Sequence, residues 1–198
     1  MIEPSDLLGK RILITGDVNT GKTTLTRNIL ESLCRVGAAS RIVIVDMAPE
    51  VPEEVALEKG VQGVGGELIP IGWDEIVYLS TKIKPPRLSS KTEEEALSVA
   101  EENRASIDDL FRVFQQTGRD ILFLNDVSMC LQMGSTRNLL EWIRPASTVV
   151  ANGYYGCTLG TGVLSMREAA EMELLMRAFP YHVRLPGQSL EEILNGKS

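Results

Sequence analysis

One short segment constrains this chain more than any other: residues 16–23 read Gly-x-x-x-x-Gly-Lys-Thr. An apolar run, Arg11 to Thr15, precedes the segment, and residues 22–36 follow it with apolar side chains at helical spacing. A second apolar run spans Arg41 to Asp46 and is typical of a strand buried on both faces. Strand, glycine-rich turn, helix and strand in this order predict a βαβ unit, and hence a parallel sheet.

The rest of the chain repeats this alternation of apolar runs and helical patterns. We expect further strands at 121–124, 147–151 and 181–185, and helices at 92–117, 136–143, 165–179 and 189–194. Ser165 and Glu168 have the spacing of a capping box, which would begin the third of these helices. The order predicts one α/β domain over residues 1–198, with three layers: a mostly parallel sheet and helices on both faces.

Residues 47–91 interrupt the alternation with five prolines and five glycines, among them Gly63, Gly65 and Gly66. We expect two short strands, at 67–71 and 76–82, joined by a turn at 72–74. The segment is therefore predicted to be an irregular or β-hairpin insertion. Long irregular loops often carry function, so it either forms part of a substrate site or only extends the edge of the sheet.

The charge and composition exclude several classes of partner. A formal net charge of −7 argues against broad binding to nucleic acid, although it leaves a local basic groove open. No apolar run reaches the ~18 residues that a membrane span requires. The acidic start of the chain lacks the basic and apolar regions of a signal peptide. We therefore expect a cytoplasmic protein with no membrane partner.

The two glycines of the 16–23 segment have a chemical meaning as well as a structural one. They allow the backbone to curl so that consecutive N–H groups point at phosphate oxygens. The helix that begins near Lys22 adds the partial positive charge of its N-terminus. We expect Lys22 to reach the β- and γ-phosphates of a nucleoside triphosphate, and Thr23 to bind Mg²⁺ through its hydroxyl. The predicted nucleotide contacts are Gly16, Asp17, Val18, Asn19, Thr20, Gly21, Lys22, Thr23, Thr24 and Asn152.

A magnesium–nucleotide complex also needs a carboxylate at the end of a nearby strand. Asp126 follows the apolar run 121–124, and Asp46 ends the run that begins at Arg41. Both lie where open α/β sheets bind ligands, as does Asn152 after the fourth strand. We favour Asp126 as the metal ligand together with Thr23, and Asp46 as a residue that orients a water of the metal or acts as a base. Lys22, Asp126 and Asp46 are then the candidate catalytic residues.

Two further observations bear on the ligand. Arg87, Arg104 and Arg137 could clamp phosphate, although the ordinary alternative is a solvated surface arginine. The chain has no Asn-Lys-x-Asp or Thr-Lys-x-Asp segment, which would read guanine, so we favour ATP over GTP.

Residues 10–46 resemble the P-loop NTPase superfamily, whose phosphate-binding motif is the one at 16–23. Residues 119–128 resemble the acidic strand end of P-loop ATP:cob(I)alamin adenosyltransferases. That resemblance implies a RecA-like fold and transfer of adenosyl from MgATP to a reduced corrinoid. In this chain Asn125 falls at the family's metal-side Asp, and Asp126 falls at its Glu. The motif, with Asp17 and Asp46, also resembles polynucleotide 5′-kinases of the RNA-processing type.

These observations leave three functions open. The first is an ATPase or an ATP-dependent transferase that moves a phosphoryl or adenosyl group to an unidentified acceptor, with ATP and Mg²⁺ as cofactors. The second is a nucleotide-dependent switch or assembly protein that turns over slowly and reorders residues 47–91 against a protein partner. The third is a polynucleotide 5′-kinase-like enzyme, which the acidic charge disfavours without excluding. A homodimer is compatible with the sequence.

Overall fold

The computed structural model describes residues 3–61 and 65–196, and within them six strands form one sheet. The strands are β1 (Arg11–Gly16), β2 (Ile42–Asp46), β3 (Val77–Ser80), β4 (Ile121–Asn125), β5 (Thr148–Tyr154) and β6 (Tyr181–Leu185). Their order in the sheet is β3-β2-β4-β5-β1-β6, and every pairing is parallel. The sheet is therefore wholly parallel, where a mostly parallel one was expected.

Helices cover both faces of the sheet, as the alternating pattern predicted. The helices are α1 (Lys22–Arg35), α2 (Glu53–Glu58), α3 (Pro86–Ser89), α4 (Glu93–Gln116), α5 (Ser128–Leu131), α6 (Thr136–Trp142), α7 (Val163–Ala178) and α8 (Leu190–Leu194). Strand side chains alternate between two buried clusters: Leu13 and Leu122 pack with α4 to α7, whereas Ile12 and Phe123 pack with α1 and α8. This arrangement confirms the three-layer α/β fold and explains why the strands read as continuous apolar runs.

Of the two strands predicted at 67–71 and 76–82, the second is confirmed as β3, whereas the first strand and the hairpin between them are wrong. Residues 77–80 alone form a strand there, and β3 pairs in parallel with β2 at the edge of the sheet. Residues 67–71 stay irregular because their backbone bonds to side chains: the Arg27 guanidinium donates to two of their carbonyls, and the Leu68 N–H donates to Asp46. Gly63 of the insertion lies outside the described residues.

The predicted capping box at Ser165 is also wrong. The N-cap of α7 is Gly162, so Ser165 lies inside the first turn of the helix. Glu168 points into the protein instead of back to a helix terminus, and it is buried. The long helix that was expected to start after Thr92 is confirmed, with the Thr92 hydroxyl accepting from the Glu95 N–H. The short helices α2, α3 and α5 were not predicted.

The carboxyl ends of the parallel strands lie at one edge of the sheet, where α/β proteins bind ligands. The loops that leave β1, β2, β4 and β5 all start at this edge, at residues 17, 47, 126 and 155. Across the described part of the chain, no helix is long and apolar enough to cross a membrane.

Candidate functional site

Residues 17–21 form a compact loop between β1 and α1, as the glycine spacing predicted. Asn19 and Gly21 adopt left-handed conformations, with φ of 57° and 89°. The Thr20 hydroxyl donates to the Asp17 carbonyl at 2.9 Å, which closes the loop on itself. The first N–H groups of a helix have no partner within it and carry its positive partial charge. The start of α1 therefore gives this loop the character of an anion-binding turn.

Gly16 marks the end of β1, and the space around it admits no side chain. A Cβ atom there would lie 2.5 Å from the Leu185 carbonyl oxygen and 2.6 Å from Thr20 Oγ1. The first of these neighbours is backbone of β6, which cannot swing aside as a flexible side chain would. Close packing against β6 thus requires glycine at this position.

The Lys22 ammonium lies over the loop and donates to the Asp17 carbonyl oxygen at 2.6 Å. Burial lowers the pKa of Lys22, while the carboxylates of Asp126 and Asp17 oppose that shift. Lys22 lines a cavity of about 310 Å³ together with Thr23, Thr24 and Asp126. A phosphate at this point would offer the ammonium a stronger acceptor than a carbonyl oxygen.

The side chain of Asp17 ties the loop to the segment that follows β5. Its Oδ1 accepts from the Val18 N–H at 2.7 Å, and its Oδ2 accepts from the Cys157 N–H at 3.1 Å. Burial alone would raise the pKa of Asp17, but hydrogen bonds from Val18, Cys157 and Thr158 outweigh it, so the pKa lies below its usual value. An acidic residue can therefore sit in this loop with its charge already bound by donors.

Asp126 stands at the end of β4 in a left-handed conformation, with φ of 55°. The Ser128 hydroxyl donates to its Oδ1 at 2.7 Å. Burial raises the pKa of Asp126 above its usual value, although the Ser128 hydroxyl and the cations of Lys22 and Arg87 oppose the rise. Asp126 thus lies in the cavity, within electrostatic reach of Lys22.

A buried amide, Asn152, holds Asp126 in this position. Its Oδ1 accepts from the Asp126 N–H at 3.0 Å, and its Nδ2 donates to Asn125 Oδ1 at 2.9 Å and to Thr26 Oγ1 at 3.0 Å. Asn152 lines the cavity, but its amide hydrogens are already used. Direct contact of Asn152 with a nucleotide stays a prediction, whereas its role in positioning Asp126 is visible.

The carboxylate of Asp46 is surrounded by donors and does not line the cavity. It accepts hydrogen bonds from the Ala48 and Leu68 N–H groups, the Asn125 amide and the Tyr78 hydroxyl, at 2.6–3.0 Å. These bonds hold residues 66–68 and β3 against the end of β2. The expected catalytic role of Asp46 stays a prediction, and the geometry favours a structural role.

Three further side chains meet at the far side of the cavity, and the sequence pointed to only one of them. Arg87 forms two hydrogen bonds of 3.1 Å with the Glu168 carboxylate, to which Gln132 also donates at 2.7 Å. Arg87 and Gln132 line the cavity. The other arginines considered as phosphate clamps lie elsewhere: Arg104 donates to the Met133 carbonyl, and Arg137 is exposed. Glu168 was missed because its spacing from Ser165 resembled a helix cap.

A magnesium site at this edge needs few protein ligands. The described residues contain no group of three or more His, Cys, Asp or Glu side chains able to hold a metal. Mg²⁺ bound with a nucleotide takes most of its ligands from phosphates and water, and one or two from the protein. The Thr23 hydroxyl and the Asp126 carboxylate are oxygen donors of the type that Mg²⁺ prefers, so the residues present fit this ion.

The fold defines a class: the wholly parallel sheet with helices on both faces is a three-layer α/β fold. It is similar to the solved structure of the flagellar accessory protein FlaH from Methanocaldococcus jannaschii, with a TM-score of 0.50. The match covers 89% of this chain and 71% of FlaH at 10% sequence identity, so the likeness shows the fold alone. No protein-family model matches the chain, and no curated protein matches it.

Proposed function

We propose that this chain is a P-loop NTPase that binds MgATP through residues 16–23 and hydrolyses it or transfers its terminal phosphoryl group. The observation that carries the proposal is the position of Lys22. Its ammonium donates to the Asp17 carbonyl of the loop that joins β1 to the start of α1, and it lines a cavity with Asp126. A lysine, a helix N-terminus and a carboxylate at one edge of the sheet are the parts that phosphoryl-transfer sites share.

Each part has a defined task in this proposal. The backbone N–H groups of the loop hold the phosphates, and Lys22 neutralises charge on their oxygens. Thr23 and Asp126 hold Mg²⁺, which would neutralise charge on the phosphate oxygens when bound. Asn152 fixes the backbone at Asp126 through the 3.0 Å hydrogen bond. Phosphoryl transfer depends mainly on positioning and charge neutralisation, so these groups suffice for a basal reaction.

The chemistry of two resembled families is supported less well than phosphoryl transfer or hydrolysis. Asn125 replaces the metal-side Asp of the adenosyltransferases, and its amide group bonds to Asp46, Gly66 and Asn152. Its oxygen already accepts from Asn152 and carries no negative charge, so it is a weaker metal ligand than the Asp of that family. A polynucleotide would need an extended basic groove, whereas the cations that line the cavity in the described part of the chain are Lys22 and Arg87.

A slowly hydrolysing switch is the second candidate, and one observation favours it. Asp126 is the single acidic side chain among the described residues that line the cavity, and Val127, which follows it, is fully buried. No second carboxylate is then placed there to activate water. Residues of the 47–91 segment, Ala48, Pro49, Gly65 and Gly66, also line the cavity, so bound nucleotide would contact the segment expected to reorder.

Product analysis with Mg²⁺ and ATP tests the proposal and separates the candidates. Release of ADP and phosphate, lost in Lys22→Met, is the expected result. A turnover number well above the roughly 10⁻² per second of intrinsic switch proteins, without any partner, would eliminate the switch. Release of triphosphate would instead establish adenosyl transfer. A chain that neither binds nor consumes ATP would overturn the proposal.

A further inference from the structure

The cavity extends past Asp126 to a second cation, Arg87. The guanidinium carbon of Arg87 lies 5.3 Å from the centre of the Tyr154 ring. Tyr154 pairs with Gly16 across β5 and β1, so Arg87 is one side chain away from the start of the phosphate loop. Lys22, at the start of α1, and Arg87, in α3, therefore line the same cavity, and both cations act on the Asp126 carboxylate.

The backbone that carries Arg87 is fixed in place. Arg87 lies in α3, a single turn that starts at Pro86, where the fixed φ of proline suits the first helical position. Just before this turn, the buried Asn103 side chain of α4 accepts from the Lys84 N–H at 3.1 Å and donates to the Lys84 carbonyl at 2.8 Å. The turn is thereby attached to the long helix, and Arg87 points from a rigid support.

The partner of Arg87 is unusual in its burial. Glu168 is only 2% exposed, and its carboxylate accepts from both terminal nitrogens of Arg87 and from Gln132. Buried ion pairs contribute little net stability compared with apolar side chains of the same size, so packing alone does not account for this cluster. Gln132 Oε1 is buried and finds no hydrogen-bond partner among the described residues. A buried acceptor of this kind beside a cavity needs a donor, such as a water that accompanies a ligand, because a phosphate oxygen has no hydrogen to donate.

We propose that Arg87 recognises the terminal phosphate of the bound nucleotide, and that Glu168 and Gln132 are positioning residues that hold it ready. This inference rests on the proposed binding of ATP at residues 16–23. Arg87 carries five N–H donors, of which two bond to the Glu168 carboxylate and one to the Ser165 hydroxyl at 3.3 Å. The Nε–H and one terminal N–H are left for a phosphate oxygen while Glu168 still holds the guanidinium. ADP lacks the phosphate that Arg87 would contact, so Arg87 distinguishes ATP from ADP. Because Glu168 belongs to α7, the same contact links the state of the nucleotide to that helix.

Calorimetry with Mg²⁺ and either ADP or the non-hydrolysable β,γ-imido analogue of ATP tests this role. The ratio of the two affinities is the readout, because ADP reports on any general damage to the site. Arg87→Gln alone leaves the Glu168 charge buried without its cation and can unfold the chain. The informative variant is therefore Arg87→Gln combined with Glu168→Gln, which removes both charges together. Glu168→Gln alone keeps the arginine and an acceptor oxygen for it.

We expect the wild-type chain to bind the analogue about tenfold more tightly than ADP, or better. Glu168→Gln should keep only part of this preference, because an amide holds the Arg87 guanidinium less firmly than a carboxylate does. The double variant is expected to lose this preference and to keep its affinity for ADP. Arg104→Gln, which removes a partly buried arginine outside the cavity, serves as the control and should keep the preference. Equal affinities in the wild type, or an unchanged preference in the double variant, would overturn the role of Arg87 while ATP binding stands. If neither nucleotide binds the wild type, the proposed function itself fails.

Discussion

The backbone N–H of Asp126 donates to the side-chain oxygen of Asn152, which ties the end of β4 to the end of β5. The side-chain NH₂ of Asn152 donates to the Thr26 hydroxyl in α1, and that hydroxyl donates to the Lys22 carbonyl. One buried side chain thus links the candidate metal ligand to the helix that follows the loop at 17–21. The separation of these residues in sequence hides this link.

Asn152→Ala removes three hydrogen bonds at once and leaves buried polar groups without partners. We expect it to lower the free energy of unfolding by about 1–3 kcal/mol and to weaken MgATP binding more than ATP binding in EDTA, because Asp126 loses its anchor. Denaturant titration and calorimetry measure the two effects. Asn28→Ala, an exposed asparagine of α1, is the matched control. An Asn152→Ala chain with wild-type magnesium dependence would disprove the anchoring role.

Asp126→Asn is expected to stabilise the fold and to impair function. Burial raises the pKa of Asp126, so its carboxylate is held at a cost in the folded chain at neutral pH. The neutral amide avoids that cost, and the midpoint of thermal unfolding at pH 7 should rise. The gain should shrink as the pH falls and the wild-type carboxyl takes up a proton. The variant should lose the ability of Mg²⁺ to strengthen ATP binding, and a variant that retained this ability would exclude Asp126 as a metal ligand.

Because Glu168 is buried, we predict that the free energy of unfolding depends on pH in a specific way. Burial raises its pKa to about 7, although Arg87 and Gln132 oppose the rise. An acid whose pKa is higher in the folded than in the unfolded state loses stability as the pH rises between the two values, and the loss is complete above the folded pKa. Glu168→Gln removes this loss.

The measurement is the free energy of unfolding of both chains between pH 4.5 and 8. The free energy of unfolding of Glu168→Gln relative to the wild type should rise through this range by up to roughly 3 kcal/mol, the equivalent of the pKa difference, whatever its value at pH 4.5. Glu173→Gln, an exposed position of the same helix, should show no such trend. A constant difference between Glu168→Gln and the wild type would contradict the burial argument.

Gly16→Ala tests the close contact between β1 and β6. The added methyl group meets the Leu185 carbonyl oxygen at 2.5 Å, so the end of β1 and the loop at 17–21 must shift. We expect a loss of roughly 1–3 kcal/mol in the free energy of unfolding, and weaker ATP binding. Gly66→Ala, where a Cβ atom would meet nothing within 4 Å, is the control for stability. Equal free energies of unfolding for the two variants would show that β6 can move to make room for the added methyl group.

Much of the fold was predictable because its signals are local. The apolar runs and the glycine-rich turn predicted five strands and the loop at 17–21, since a buried parallel strand needs apolar side chains on both faces, and the sixth strand, β3, lies within the predicted 76–82. The strand prediction for residues 67–71 failed because Arg27 and Asp46, which are distant in sequence, hold their backbone in an irregular conformation. Local propensity contains no information about such contacts.

Some residues of the candidate site were likewise predictable from the local sequence, and others were not. The motif located Lys22 and Thr23, because each lies at a fixed spacing from a glycine turn. Nothing local distinguishes Arg87 or Gln132 from surface residues, and Glu168 occurs at the spacing of a helix cap. Their association depends on how α3, α5 and α7 pack together around the cavity.

The central claim is that residues 16–23 bind MgATP through Lys22. Calorimetric titration of the wild-type chain with ATP and Mg²⁺, beside Lys22→Ala and the control Lys59→Ala on the exposed end of α2, tests it most directly. We predict saturable binding in the wild type and Lys59→Ala, and a loss of roughly tenfold or more in Lys22→Ala, since a charged hydrogen bond to phosphate disappears. Wild-type affinity in Lys22→Ala, or no binding of ATP to the wild type, would contradict the account.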